Sequence, residues 1–319
     1  MRILVTGAAG FIGFHVARRL LADGHEVVGA DNFNPYYDVG LKRARHARLE
    51  ALPRYVGLEA ELAREDDVGA VFAKGPFDAV CHLAAQAGVR YSLDHPFAYG
   101  QANLDAFLRI LEACRHAQTP RLVYASSSSV YGGNRKLPFS EEDPVDHPVS
   151  LYAATKKANE LMAHTYTHLF GLPTVGLRFF TVYGPWGRPD MAAWLFTDAL
   201  LRGEPIRVFN HGRMSRDFTY VDDIVAGVVS ALTAPGLDAY EIFNLGHHRP
   251  ENLLDFIRLI ADELGVEPRM EMLPMQPGDV EATYADIGRA RAKLGFEPIT
   301  PLAEGLPAFI RWFRDYHGR

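Results

Sequence analysis

The chain has 319 residues, 48% of them hydrophobic and 23% charged, and carries a formal net charge of −6. That balance suits a large buried core and excludes the basic face a duplex nucleic acid demands, while leaving room for basic pockets around a phosphorylated small molecule. The two cysteines, Cys81 and Cys114, make no disulfide framework and are expected as reduced, buried thiols of a cytoplasmic protein; no stretch reaches the roughly 18 apolar residues of a membrane span, and no signal peptide is read in an N-terminus broken by glycines, Arg18 and Arg19.

In chain order, β-rich runs at 2–6, 26–30, 54–58, 79–83, 122–125 and 174–177 alternate with amphipathic stretches near 11–22, 41–50, 65–73, 97–117 and 151–170. Strands separated by helices of this length imply right-handed crossovers, and hence a doubly wound α/β unit with a parallel sheet covered on both faces. Beyond about residue 178 the pattern loosens. Prolines and glycines crowd GPWGRPD, HGRMSRDF and PMQPGD, with helices near 190–202, 222–233, 253–264 and 302–316. Two loops, 126–149 and 179–190, exceed the usual connection length, and long ordered loops at the carboxyl ends of strands are where such sheets bind ligands.

Between the first strand and the first helix, VTGAAGFIG presents Gly7, Gly10 and Gly13. Gly7 permits a tight turn, Gly10 lets backbone approach a pyrophosphate, and Gly13 lets the helix pack closely on the strand, while the helix start offers N–H groups and a positive dipole end to phosphates. The spacing departs from the commoner G-x-G-x-x-G, and glycines alone also fit a purely structural turn. Asp31 ends the second run, near the offset of roughly 20 residues expected for an acid on the adenosine ribose. A carboxylate there repels a 2′-phosphate, and no Lys or Arg follows until Lys42, so NAD is expected rather than NADP. This reading predicts a Rossmann domain over 1–178 with a return near 217–247, and a smaller mixed α/β substrate domain over 179–216 and 248–319.

Tyr152 and Lys156, in YAATK at a helix start, share one face one turn apart. A free phenol ionises near about 10, and an adjacent ammonium together with a positive nicotinamide ring favours the phenolate a base needs. Ser127, at the end of the fifth run in YASSSSVYG, is placed to share the substrate proton. Ser126, Ser128 and Ser129 read equally well as a polar strand-to-loop turn.

With these motifs, HLAAQAG and RDFTYVDDI, the chain resembles the extended short-chain dehydrogenase/reductases, specifically the nucleotide-sugar epimerase/dehydratase group, from residue 1 nearly to its end. The resemblance implies Ser127, Tyr152 and Lys156 as catalytic residues. It implies NAD held by Gly7, Gly10, Phe11, Ile12, Gly13, Asp31, Asn32, Glu61, Leu62, Leu83, Ala84, Ala85, Gln86, Tyr152, Lys156 and Phe179, with Asn103 supporting cofactor and active-site waters. Glu61, in LEAELA, stands where the group usually has an aspartate meeting the adenine. The resemblance also implies a homodimer, through a four-helix bundle of the 97–117 and 151–170 helices, and that packing accounts for Glu160, His164 and His168 without a metal. His247–His248 reads as an exposed turn.

Members of the group oxidise C4 of the sugar first and then diverge. Dehydratases carry Asp-Glu after the catalytic Ser or Thr; here Ser128 and Ser129 occupy those places, so elimination lacks its proton donor and C4 epimerisation is expected, with NAD regenerated and retained. Arg90 and Arg188 fall beside the expected sugar, where a planar fork suits a carboxylate, and their segments, with DNFNPYYD and FNHGRMSRDFTY, resemble bacterial UDP-glucuronate 4-epimerases. Oxidised UDP-glucuronate is a β-keto acid, prone to losing CO2 when its C–C bond aligns with the carbonyl orbitals; Arg188 and Thr181 are expected to hold the carboxylate out of alignment, and Ser127, Ser128 and Tyr152 to complete the sugar contacts. Arg216 is expected at the diphosphate, Val208 and Phe209 at the uracil, and Asp279 at the ribose of the sugar nucleotide. Gln276 stands where many relatives have Arg. The competing expectations are a UDP-glucose or UDP-N-acetylglucosamine 4-epimerase, a UDP-glucuronate decarboxylase, and an NAD-binding regulator without turnover.

Overall fold

The computed structural model describes residues 1–276 and 280–318. Seven strands, β1 (Arg2–Thr6), β2 (Glu26–Asp31), β3 (Tyr55–Glu59), β4 (Ala79–His82), β5 (Leu122–Ser127), β6 (Thr174–Phe179) and β7 (Tyr240–Leu245), form one parallel sheet in the order β7-β6-β5-β4-β1-β2-β3. The central strands are near-continuous apolar runs because both faces are covered. Strand alternation then divides the core: Ile3 and Val5 pack with Phe14, Val175 and Ile224 on one face, and Leu4 packs with Val28, Phe107, Leu111 and Tyr124 on the other.

Among the described residues, the α-helices of seven residues or more are α1 (Phe11–Ala22), α2 (Val39–Glu50), α3 (Glu65–Phe72), α4 (Ala106–His116), α5 (Leu151–Phe170), α6 (Ala192–Leu201), α7 (Val221–Thr233), α8 (Leu253–Leu264), α9 (Gly288–Leu294) and α10 (Leu302–His317). A third apolar cluster, with Val208, Phe256, Ile260, Leu306 and Phe313 at its heart, joins α6, α8 and α10 beyond the carboxyl edge of the sheet. The fold class is the doubly wound α/β arrangement with a smaller mixed α/β unit.

Local chemistry sets the elements that matter most. Ser150 caps α5, its hydroxyl accepting from Ala153 N at 3.1 Å, and Gly171 closes the helix at φ +67°. This cap fixes Tyr152 and Lys156 in the first turns. The single helix expected over 97–117 is instead three pieces: a short turn at Pro96–Tyr99, a π-helical stretch at Gly100–Asp105, and α4. Helix α9 has no counterpart in the sequence reading, being too short to show a period. His247–His248 is only in part the exposed turn expected: His248 is exposed, but His247 is buried, and both backbone N–H groups donate to the carboxylate of Asp217, at 2.5 and 3.1 Å. Glu160 is committed to Arg178, which grips it through Nε and Nη2 at 2.8 and 2.9 Å, and to Ser126 at 2.7 Å.

Candidate active site

A continuous cleft of about 1350 Å³ runs across the carboxyl ends of the strands. The backbone turn after β1 forms one end. Gly7 sits at φ +69°, where a Cβ would meet Ala84 N at 2.8 Å; a Cβ on Gly13 would lie 2.0 Å from the Gly7 carbonyl oxygen, and one on Gly10 2.9 Å from it. The turn thus requires glycine at all three places, and α1 begins there with no side chain capping its first amides. That is the cradle a pyrophosphate needs. Thr6 braces it from behind, accepting from Ala84 N at 3.2 Å and contacting His82 Nδ1 at 2.9 Å.

Asp31 accepts from Ala9 N at 3.1 Å and Phe33 N at 2.9 Å, and its carboxylate lines the cleft. Lys42, remote in sequence, is folded back by α2 until its Nζ stands 4.0 Å from Asp31 Oδ1, where burial pulls its pKa down. The preference for NAD therefore rests on the Asp31 carboxylate, not on a lack of nearby cations. Asn32 Nδ2 donates to Glu61 Oε2 at 2.8 Å, and Glu61 also accepts from Ala63 N at 3.1 Å, so the acid at the expected adenine edge is held by its own loop.

Ser127, Tyr152 and Lys156 all line this cleft. The Ser127 hydroxyl donates to Ser129 Oγ at 3.1 Å and stands close enough to the Tyr152 phenol to lower its pKa. The acidity of the phenol departs from expectation. Burial pushes it above its ordinary value, and the opposing influences are the Ser127 hydroxyl and the Arg188 guanidinium. Lys156 is not among them: its Nζ donates to Ala125 O at 2.9 Å, and burial pulls it to about 8.

Most of the remaining sequence-predicted residues line the same cleft: Phe11, Ile12, Leu62, Leu83, Ala84, Ala85, Gln86, Arg90, Ser128, Phe179, Thr181, Arg188, Phe209 and Arg216. Two do not. Asn103 is buried behind the wall, where it clamps Gln86 through both backbone atoms at 2.8 and 3.0 Å and donates to Thr155 at 3.0 Å. Val208 is wholly buried in the third core, leaving Phe209 to face the cleft. Asp279 lies outside the described residues. Arg90 stacks its guanidinium 4.9 Å from the centre of the Phe209 ring, so it stands with the residue expected at the uracil.

Arg188 carries a partner that sequence reading missed. Asp190 takes its Nε at 3.0 Å and Nη2 at 2.5 Å, and Tyr36 donates to the same carboxylate at 2.9 Å. The Arg188 pKa is raised, with Asp190 the chief cause opposing burial, and the Asp190 pKa is lowered by the same pairing. Only the end-on edge of the guanidinium is left for another acceptor. Tyr36 lies in the DNFNPYYD segment already singled out, but nothing in its spacing marks it as a neighbour of Asp190.

A glycine cradle, an acid at the end of the second strand and a Ser–Tyr–Lys set in one cleft define a dinucleotide-dependent enzyme of the doubly wound class. Residues 3–246 match the NAD dependent epimerase/dehydratase family, and the chain belongs to it. It is 46% identical to UDP-glucuronate 4-epimerase 4 of Arabidopsis thaliana over 331 residues, covering 99% of this chain and 76% of that protein. Among solved structures, UDP-glucuronic acid 4-epimerase from Bacillus cereus in complex with UDP-glucuronic acid and NAD superposes with a TM-score of 0.94 at 35% identity, covering 99% of this chain and 100% of that one. UDP-glucose 4-epimerase from Thermotoga maritima with UDP-glucose superposes with a TM-score of 0.89 at 31% identity, covering 99% and 100%.

Proposed function

We propose that this chain is an NAD-dependent UDP-sugar 4-epimerase that interconverts UDP-glucuronate and UDP-galacturonate. The observation that carries the proposal is one cleft running from the glycine cradle, past the Tyr152 hydroxyl, to the Arg188 guanidinium. Gly7, Gly10, Gly13 and the start of α1 would hold the pyrophosphate of NAD, Asp31 the adenosine ribose, Asn32, Glu61 and Leu62 the adenine side, and Lys156 and Phe179 the nicotinamide end. When bound, NAD supplies the hydride acceptor and donor for C4, and its positive ring adds the charge that makes the Tyr152 phenol a competent base.

The chain's own residues do the rest. Tyr152 takes the C4 hydroxyl proton while the nearby Ser127 hydroxyl shares it, and Tyr152 returns it once the 4-keto sugar has presented its other face. Arg216 neutralises the diphosphate, Phe209 packs on the uracil, and Arg188 with Thr181 and Ser128 holds the glucuronate carboxylate. Residues 1–178 with 217–247 act as the cofactor half, and 179–216 with 248–319 as the sugar-nucleotide half. Leu108, Leu161 and Leu169, 44%, 57% and 61% exposed on α4 and α5, suit burial against a second copy as a four-helix bundle. Two buried, unpaired cysteines fit a reducing, cytoplasmic setting.

Because Asp190 offsets the Arg188 charge, discrimination against an uncharged sugar is the point to test. Purified protein incubated with UDP-glucuronate, UDP-glucose and UDP-N-acetylglucosamine, with products separated by chromatography, decides between them. UDP-galacturonate as the main product supports the proposal; preferential UDP-galactose formation, or a UDP-pentose, contradicts it. Tyr152→Phe should lower turnover by about 10²–10⁴-fold with NAD content unchanged. A non-catalytic NAD-binding regulator would show no turnover to lose.

A further inference from the structure

The loop that carries Arg188 is held by the other half of the molecule. Trp186 sits at φ +62°, a left-handed backbone that a bulky side chain keeps only where its surroundings impose it. Three side chains of the first two helices supply that support. His15 on α1 hydrogen-bonds Pro185 O through Nε2 at 2.8 Å. Arg45 on α2, fully buried, donates Nη2 to Trp186 O at 2.6 Å and Gly187 O at 3.1 Å. Arg48 lays its guanidinium 4.3 Å from the centre of the Trp186 ring.

Arg45 reaches further. Its Nη1 donates to Ala9 O at 3.0 Å and to Tyr37 Oη at 2.8 Å. Ala9 lies inside the glycine turn, between Gly7 and Gly10. One rigid guanidinium therefore ties the phosphate cradle to the two carbonyls just before Arg188. A buried cation hydrogen-bonded to neutral acceptors is an expensive way to fill space, since desolvation goes uncompensated by an ion pair. The planar fork does what an apolar side chain cannot: it fixes the relative position of three backbone segments.

We propose that Arg45, assisted by His15, is a positioning residue that keeps Arg188 in register with the bound cofactor, and so protects the oxidised sugar from decarboxylation. The proposal rests on the UDP-glucuronate reading above. In the 4-keto acid, the C5–C6 bond breaks when it aligns with the carbonyl orbitals. Its electron pair enters the enolate of the C4 ketone, CO2 departs, and a proton is taken up at C5 to give a UDP-4-keto-pentose. The hydride removed from C4 then stays on the cofactor. A misplaced Arg188 frees the carboxylate to reach that alignment.

The test uses NAD-loaded enzyme and UDP-glucuronate radiolabelled at C6, counting labelled CO2 released per UDP-galacturonate formed and following the near-ultraviolet absorbance of reduced nicotinamide. Arg45→Lys should raise that ratio by about tenfold or more, the scale of a small misplacement at a reacting centre. His15→Gln should raise it less, and Arg48→Gln, at an exposed position suited to folding if the buried variants fail, should raise it measurably. An unchanged ratio in every variant that folds and retains NAD makes Arg45 a structural brace only and overturns the proposal, even if total turnover falls. Wild-type enzyme that forms no UDP-galacturonate would instead overturn the substrate reading, and this inference with it.

Discussion

Burial acts on both members of the Tyr152–Lys156 pair, pushing the phenol up and pulling the ammonium down to about 8. The two side chains share a helix face as their spacing requires, yet the lysine spends its proton on Ala125 O. That partner could not be read from YAATK, because it lies on β5. The folded pKa of Lys156 is depressed, so the unfolded chain binds more protons between about 8 and the ordinary lysine value. The penalty is fully present below that window and disappears as pH rises through it. Cofactor-free Lys156→Met should therefore be more stable than wild type at neutral pH, by up to about 3 kcal/mol, with the difference vanishing at strongly alkaline pH while turnover is lost. Urea unfolding across pH checks this. A variant less stable at neutral pH would show that the Ala125 hydrogen bond outweighs desolvation.

Elements divide by how local their causes are. The glycine turn was legible because each glycine answers to a clash within its own neighbourhood: Gly13 faces the Gly7 carbonyl, and Gly7 faces the chain at Ala84. Helix α5 was legible for the same reason, with Ser150 and Gly171 marking its ends. The Arg188 loop was not. Its determinants are His15, Tyr36 and Arg45, separated from their partners by 170, 154 and 141 residues, and no spacing rule connects them. Asn103 was named through the resemblance alone, and only the fold reveals that it is held against Gln86 and Thr155. At this scale Gly13→Ala should cost about 1–3 kcal/mol through overpacking and abolish NAD retention. Gly24→Ala is the control: at φ +91° with nothing within 4 Å of a Cβ, it should cost only backbone strain and leave NAD bound. Equal NAD loss in both would detach the cofactor from the turn.

Across the whole molecule, the parallel sheet follows from strand–helix alternation, whereas its strand order, β7 and the units after β6 depend on chain segments returning from far along the sequence. That return gives the cleft its two walls, one built early in the chain and the other late. The outer faces of α4 and α5 leave Leu108, Leu161 and Leu169 exposed. Leu161→Glu should convert a dimer to a monomer in sedimentation with NAD content preserved; a wild-type protein already monomeric at micromolar concentration would contradict the four-helix bundle.

The central claim concerns where the hydrogen on C4 goes. UDP-glucuronate deuterated at C4, converted in ordinary water, tests it directly by mass spectrometry and NMR of the product. Transient oxidation and return within one cleft predict UDP-galacturonate that keeps its deuterium at C4. Washout of that deuterium into solvent, or a product that has lost its carboxylate, would contradict the account.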